Sequence, residues 1–160
     1  MEVTIRPLEE ADAFVSFKWR NDHEVFKYTG NTYKNEIKVE TELEWIRNVI
    51  KNNKLGKDFR CAILADGIYV GNIYLTDIEK GCAEYHIFIG NKNYWGKGVA
   101  KRASQLILEY AFSVLKLDCV NLGVRILNTS ARKLYQSLGF IEISRDEQWI
   151  WMRISKANIL

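Results

Sequence analysis

The pattern of apolar and polar positions divides the chain into short alternating runs and longer helical ones. EVTIRPL opens as a strand, with Pro7 at its end. EEADAFVSFKWRN follows with Ala11, Phe14, Val15 and Lys18 on one stripe at helical spacing, the lysine stem at its edge, which predicts a helix. The stretch from Asn21 to Asn35 is polar and aromatic and predicts mostly loop. A second helix is expected over about 36–51, with Val39, Leu43, Ile46 and Ile50 inward, and NNKLGKD ends it. RCAILA and IYVGNIYL predict a hairpin about Asp66-Gly67, because that pair accepts the positive φ angles of a tight turn. GCAEYHIFIG is another strand.

After NYWGKG a long helix runs to about 115, with Ala103, Leu106, Ile107, Tyr110 and Val114 on one stripe. CVNLGVRI alternates, placing Val120, Leu122, Val124 and Ile126 on one face. Asn128 suits an N-cap and Gly139 a C-terminal stop for a helix between them. EISRDEQWIWMRIS adds one or two strands. The resulting order, β-α-α-β-β-β-α-β-α-β, is a mixed α/β layer fold.

Composition narrows the function. The chain has 160 residues, 48% of them apolar and 27% charged, as expected of one folded domain. No apolar run is long enough to span a membrane, and the acidic N-terminus lacks a signal peptide's apolar stretch, so the expected location is cytoplasmic. A net charge of +3 is too mild for a nucleic-acid binder. Cys61, Cys82 and Cys119 have no metal-ligand spacing and are expected as buried free thiols; no metal is expected.

The chemistry centres on NYWGKGVAKR. It does not match a P-loop, and Lys101 stands where a dinucleotide fingerprint needs its third glycine. A strand leading through G-x-G into a helix instead offers a pyrophosphate the free N–H groups and positive end of that helix. Lys97, Lys101 and Arg102 add positive charge. On these residues alone a plain connecting turn is an equal reading.

NTSARKLYQSLGF then supplies N-x-x-A-x-x-L-Y-x-x-x-G-F. With EYHIFI, YWGKGVA and the strand after the long helix, in that order and spacing, the chain resembles the GNAT superfamily of acyl-CoA-dependent N-acetyltransferases. It looks most like the ribosomal-protein and polyamine branch, to which I-R-P-L-x-x-x-D and K-W-R-N-D are also similar. Asn93 departs from the Gln or Arg usual there.

The resemblance implies a mostly antiparallel central sheet with helices on both faces. It also implies acetyl-CoA as co-substrate and a primary amine as acceptor, either a small molecule such as an amino sugar or polyamine, or a protein N-terminus. Tyr135 is then the candidate proton donor to the leaving thiolate; its apolar stripe with Ala131, Leu134 and Leu138 taken alone favours a core tyrosine, and the surrounding motif reverses that reading. Glu84 is the candidate base, on one strand face with His86 and Phe88, where His86 or a water chain could serve instead; a glutamate paired to a lysine and an ordinary half-buried histidine are the plain alternatives. Backbone at Ile87, Phe88 and Ile89 is expected along the pantetheine arm. Trp95, Gly96, Lys97, Gly98, Val99 and Ala100 are expected at the pyrophosphate, and Asn128 and Lys133 elsewhere on the cofactor. Trp19, Arg20, Asn21 and Tyr28 are expected near the acceptor, with Asp22 or Glu24 attracting the amine. QWIWMRI is a candidate edge for a homodimer. The competing reading is a regulatory module that binds acyl-CoA without transfer.

Overall fold

The computed structural model describes residues 1–28 and 35–158, so part of the expected 21–35 loop lies outside the described residues. Its strands are β1 (Val3–Pro7), β2 (Phe59–Ala65), β3 (Ile68–Glu79), β4 (Cys82–Ile89), β5 (Cys119–Arg125), β6 (Ile141–Arg145) and β7 (Trp149–Ser155). They form one sheet in the order β1-β2-β3-β4-β5-β7-β6. All neighbours are antiparallel except β4 and β5. The helices are α1 (Ala13–Arg20), α2 (Val39–Lys54), α3 (Val99–Ser113) and α4 (Thr129–Leu138). This is the expected mixed, mostly antiparallel arrangement.

Alternation sorts the strand residues onto two faces. One face carries Ile73, Leu75, Tyr85, Val120, Leu122, Val124, Ile150 and Met152 and packs against α3 and α4. The other carries Ala62, Tyr74 and Phe88, which pack with Val49 and Trp45 of α2. Trp19 of α1 lies on this second face, 4.7 Å from the Tyr69 ring and flat against Gly90, where a Cβ would sit 2.0 Å from the indole. Gly90 is therefore required by the approach of Trp19.

The Asp66-Gly67 hairpin forms as expected, with φ of 49° and 80°. Asn128 caps α4 by accepting from the Ala131 N–H, and Gly139 ends it at φ 105°. In α3 the buried face is Val99, Ala103, Ser104, Ile107, Leu108, Ala111 and Phe112; Val114 lies past the helix end and is exposed.

Several expectations need correction. In α1 the buried residues are Ala13, Ser16 and Trp19, while Phe14 and Val15 are exposed. The helix is turned because its inner contacts are polar: Ser16 Oγ donates to Glu42 at 3.2 Å, and Arg20 Nε pairs with Glu42 at 3.1 Å. In α2 the fully buried positions are accordingly Glu42, Ile46 and Val49, with Leu43 and Ile50 only partly covered. Just before α1, Asp12 takes a two-pronged bond from Arg6 (2.8 and 2.9 Å) and another from the Glu9 N–H. The Arg and Asp of I-R-P-L-x-x-x-D thus fasten the end of β1 to the start of α1.

Cys82 and Cys119 are not free thiols. They face each other at the start of the β4–β5 pairing and are joined as a disulfide, leaving Cys61 as the free, buried cysteine. QWIWMRI is not an edge: β7 lies between β5 and β6, and β6 is the outer strand.

Candidate active site

Between β4 and β5 the sheet comes apart. The two strands are paired only where Cys82–Glu84 meets Cys119–Asn121, whereas β4 stays bonded to β3 as far as Ile89. From Tyr85 onward the β5-facing edge of β4 is a row of backbone donors and acceptors that needs partners. It suits an extended ligand bearing amides.

The N-terminus of α3 stands beside the far end of β4. Gly96 and Gly98 have φ of 72° and 80°, and a Cβ at either would meet nothing within 4 Å. The chain's own packing thus does not exclude a side chain there. The left-handed backbone calls for glycine, and the bare surface is open to something else. Gly98 is the N-cap of α3 and has no side chain to offer; the Arg102 N–H bonds back to the Gly98 carbonyl at 3.1 Å. The N–H groups of Val99, Ala100 and Lys101 precede the first helical bond and are left for an anion. Lys97, Lys101 and Arg102 are exposed around them, and Val99 turns its side chain into the core. These residues fit a pyrophosphate. Trp95 also braces this loop, because its indole N–H donates to the Ile89 carbonyl at 2.8 Å and pins it to the end of β4.

Two candidate catalytic groups lie on opposite faces of the opening. Tyr135 of α4 is buried on the α3–α4 face, edge-on to Tyr85 at 5.7 Å and to Phe140 at 5.9 Å. Burial pushes its phenol up to about 12, so it is protonated at neutral pH. Tyr85 is fixed in turn: Ser104 donates to the Ala100 carbonyl, so the Tyr85 hydroxyl, 2.6 Å away, donates to Ser104.

Glu84 projects from the other face. Its carboxylate is half-exposed, 3.8 Å from His86 Nε2, so its neighbour is a histidine rather than a lysine. Burial lowers the His86 pKa, opposed by the Glu84 charge, and Arg60 lowers it further. His86 is therefore a neutral imidazole at pH 7, able to accept a proton.

The residues expected at the acceptor serve partly to build the α1–α2 layer over β3 and the far end of β4. The Asn21 amide is committed, donating to the Phe17 and Ile37 carbonyls and accepting from the Ile37 N–H. Arg20 pairs with Glu42 and lies 4.4 Å from the Trp45 ring centre. Tyr28 is half-buried, with the Lys27 ammonium 5.2 Å from its ring. Asp22 and Glu24 do not stand open to an amine, because Lys92 Nζ sits 2.9 Å from each. The same lysine bond holds the Asp22 carboxyl below its usual range. On α4, Asn128 is used as the cap and Lys133 is exposed.

Residues 2–141 match the model of the acetyltransferase (GNAT) domain. The chain belongs to the GNAT acetyltransferase family. It is 31% identical over 140 residues to spermidine N(1)-acetyltransferase of Escherichia coli K12, covering 86% of this chain and 72% of that one. Spermidine N-acetyltransferase from Vibrio cholerae, solved in complex with CoA and spermine, superposes with a TM-score of 0.84 at 25% identity, covering 98% of this chain and 96% of that one. Ribosomal-protein-S5-alanine acetyltransferase from Vibrio fischeri gives a TM-score of 0.88 at 15% identity over 100% of this chain and 96% of that one, which speaks for the fold alone. The chain is thus an acyl-CoA-dependent N-acetyltransferase, with acetyl-CoA as co-substrate and an amine as acceptor.

Sequence reasoning missed the buried Glu42, the Lys92 clamp and the tryptophans of β7. Only the last had a usable signal: Trp149 and Trp151 alternate with Ile150 and Met152, so one pair faces the core and the other faces away.

Proposed function

We propose that acetyl transfer takes place in the opening between β4 and β5, with Glu84 and His86 on the amine side and Tyr135 on the sulfur side. The observation that carries this is the placement of those groups on opposite faces of a gap bordered by unpaired β4 backbone and by the glycine-led start of α3. The loop of Gly96 and Gly98 and the first turn of α3 hold the pyrophosphate. The backbone of Ile87, Phe88 and Ile89 orders the pantetheine arm, and a β4 N–H stabilises charge on the thioester oxygen.

Glu84 takes a proton from the acceptor ammonium, directly or through a water. Neutral His86 beside it is a second acceptor. The freed amine forms the new C–N bond as the C–S bond breaks. Tyr135 donates to the departing sulfur. Its phenol, at about 12, is a weaker acid than an alkyl thiol at about 8.5, so its contribution is a hydrogen bond that strengthens as charge builds on sulfur. The nitrogen's second proton leaves through solvent and the thiolate takes one up, so the products are an acetamide and free CoA.

Measuring CoA release for Tyr135→Phe and Glu84→Gln with a panel of amines tests this. The expected result is at least a ~10²-fold lower kcat in Tyr135→Phe with CoA binding retained. Near-normal turnover would remove Tyr135 from the mechanism.

A further inference from the structure

The α1–α2 layer covers only part of its face of the sheet. It packs over β2, β3 and the end of β4, and among the described residues no helix packs on the same face of β5 and β7. On that open part Trp151 stands opposite Gly123 and Trp149 opposite Arg125. A Cβ at Gly123 would lie 3.5 Å from the Trp151 ring and 3.6 Å from the Trp149 ring, so both indoles lean over bare backbone. Trp151 nevertheless keeps 39% of its surface exposed, an unusual setting for the largest aromatic side chain.

The charge that β5 and β7 themselves present on this surface is positive. Arg125 lies 5.0 Å from the Trp149 ring centre and donates to Gln148. Arg153 is exposed and donates through Nε to Asn121 at 2.7 Å, with no partner for its terminal nitrogens among the described residues. The nearby Asp146 is turned into its hairpin, where Oδ1 accepts from the Gln148 and Trp149 N–H groups. Asn121 is the cross-strand neighbour of Glu84. Glu84, Asn121 and Arg153 thus form one row across adjacent strands, roughly 5 Å per step, and Trp151 lies two residues further along, about 7 Å away.

We infer that this face receives the acceptor and selects an amine that also carries a planar or sugar ring and an anionic group, a carboxylate or a phosphate. The ring lies on Trp151, the anion meets Arg153 and Arg125, and the amine reaches Glu84. A polycation is disfavoured: the two arginines oppose it, and Asp22 and Glu24 already hold Lys92. This reading rests on the reaction site proposed above.

Four probes test it at fixed acetyl-CoA: 4-(aminomethyl)benzoate, glucosamine 6-phosphate, benzylamine and spermidine. The first two carry ring and anion from different sources, the third lacks the anion, and the fourth lacks both. At least one of the first two should exceed benzylamine and spermidine in kcat/KM by roughly 10-fold or more, as charge-assisted bonding and stacking imply. Arg153→Ala should erase the preference over benzylamine. Trp151→Ala should raise KM for the preferred probe roughly 10-fold, and CoA should still raise the melting temperature of both variants. Spermidine as the preferred probe, no turnover of either anionic probe, or variants that keep the wild-type preference would overturn the inference. So would a dimer in sedimentation that Trp151→Asp dissociates, since the face would then be an interface between copies. A wild type that CoA does not stabilise would instead sink the reaction site itself.

Discussion

The α1–α2 face of the sheet is built in two ways. Over β2–β4 the aromatic residues are covered and the charges are matched: Trp19 lies against Gly90, Tyr74 and Phe88 pack with α2, and Glu42 answers Ser16 and Arg20. Over β5 and β7 the same face leaves Trp151 and Arg153 in solvent. Aromatic and cationic residues alone therefore do not mark a binding surface in this protein. What separates the halves is whether the fold supplies the partner, and Glu84 and His86 stand at the boundary.

The largest expected effects fall across the gap from that boundary, on the α3–α4 face, and within the covered half. Tyr135→Phe should lower kcat by ~10²-fold or more in a CoA-release assay while thermal stability changes little. Glu42→Ala should do the reverse: removing one member of a buried charged pair costs about 3–5 kcal/mol, read as a lower urea midpoint. Trp151→Ala, on the open half, should change stability by less than about 0.5 kcal/mol. A loss as large as that of Glu42→Ala would erase the distinction between the halves.

Smaller effects sharpen the comparison. His86 is held below the ordinary histidine value of 6.5 by burial and Arg60, against the opposing charges of Glu84, Asp77 and Asp58. The unfolded chain then binds more protons than the folded one in the window just below pH 6.5. Stability should therefore rise with pH through that window and level off above it. His86→Gln should flatten the slope in melts taken across pH 5 to 7.5. Asn128→Ala removes the α4 cap and should cost about 1 kcal/mol, lowering the melting temperature.

Much of the frame was legible because its signals are local. Asp66-Gly67 forms its hairpin, Asn128 and Gly139 bound α4, and the alternation of Val120, Leu122 and Val124 gives the buried face of β5. Glu84 and Tyr85 fall on opposite faces of β4 for the same reason. The phase of α1 was not legible. Apolar spacing favours Phe14 and Val15 inward, whereas Asp12, Ser16 and Glu42 become interior only once paired with groups distant in sequence. The Cys82–Cys119 pairing depends on the parallel register of β4 and β5, which only the long α3 crossover creates. The Asp22–Lys92–Glu24 clamp likewise joins distant loops.

The central claim is that CoA binds where Gly98 leads into α3. Titrating CoA against wild type and Gly98→Trp by thermal shift tests it directly, because beyond its own chain neighbours no described residue lies within 4 Å of a Cβ at that position, and the indole would fill the space assigned to the pyrophosphate. A melting temperature that rises with CoA in wild type and stays put in the variant is the predicted result. No rise in wild type at millimolar CoA, or an equal rise in both proteins, would contradict the account.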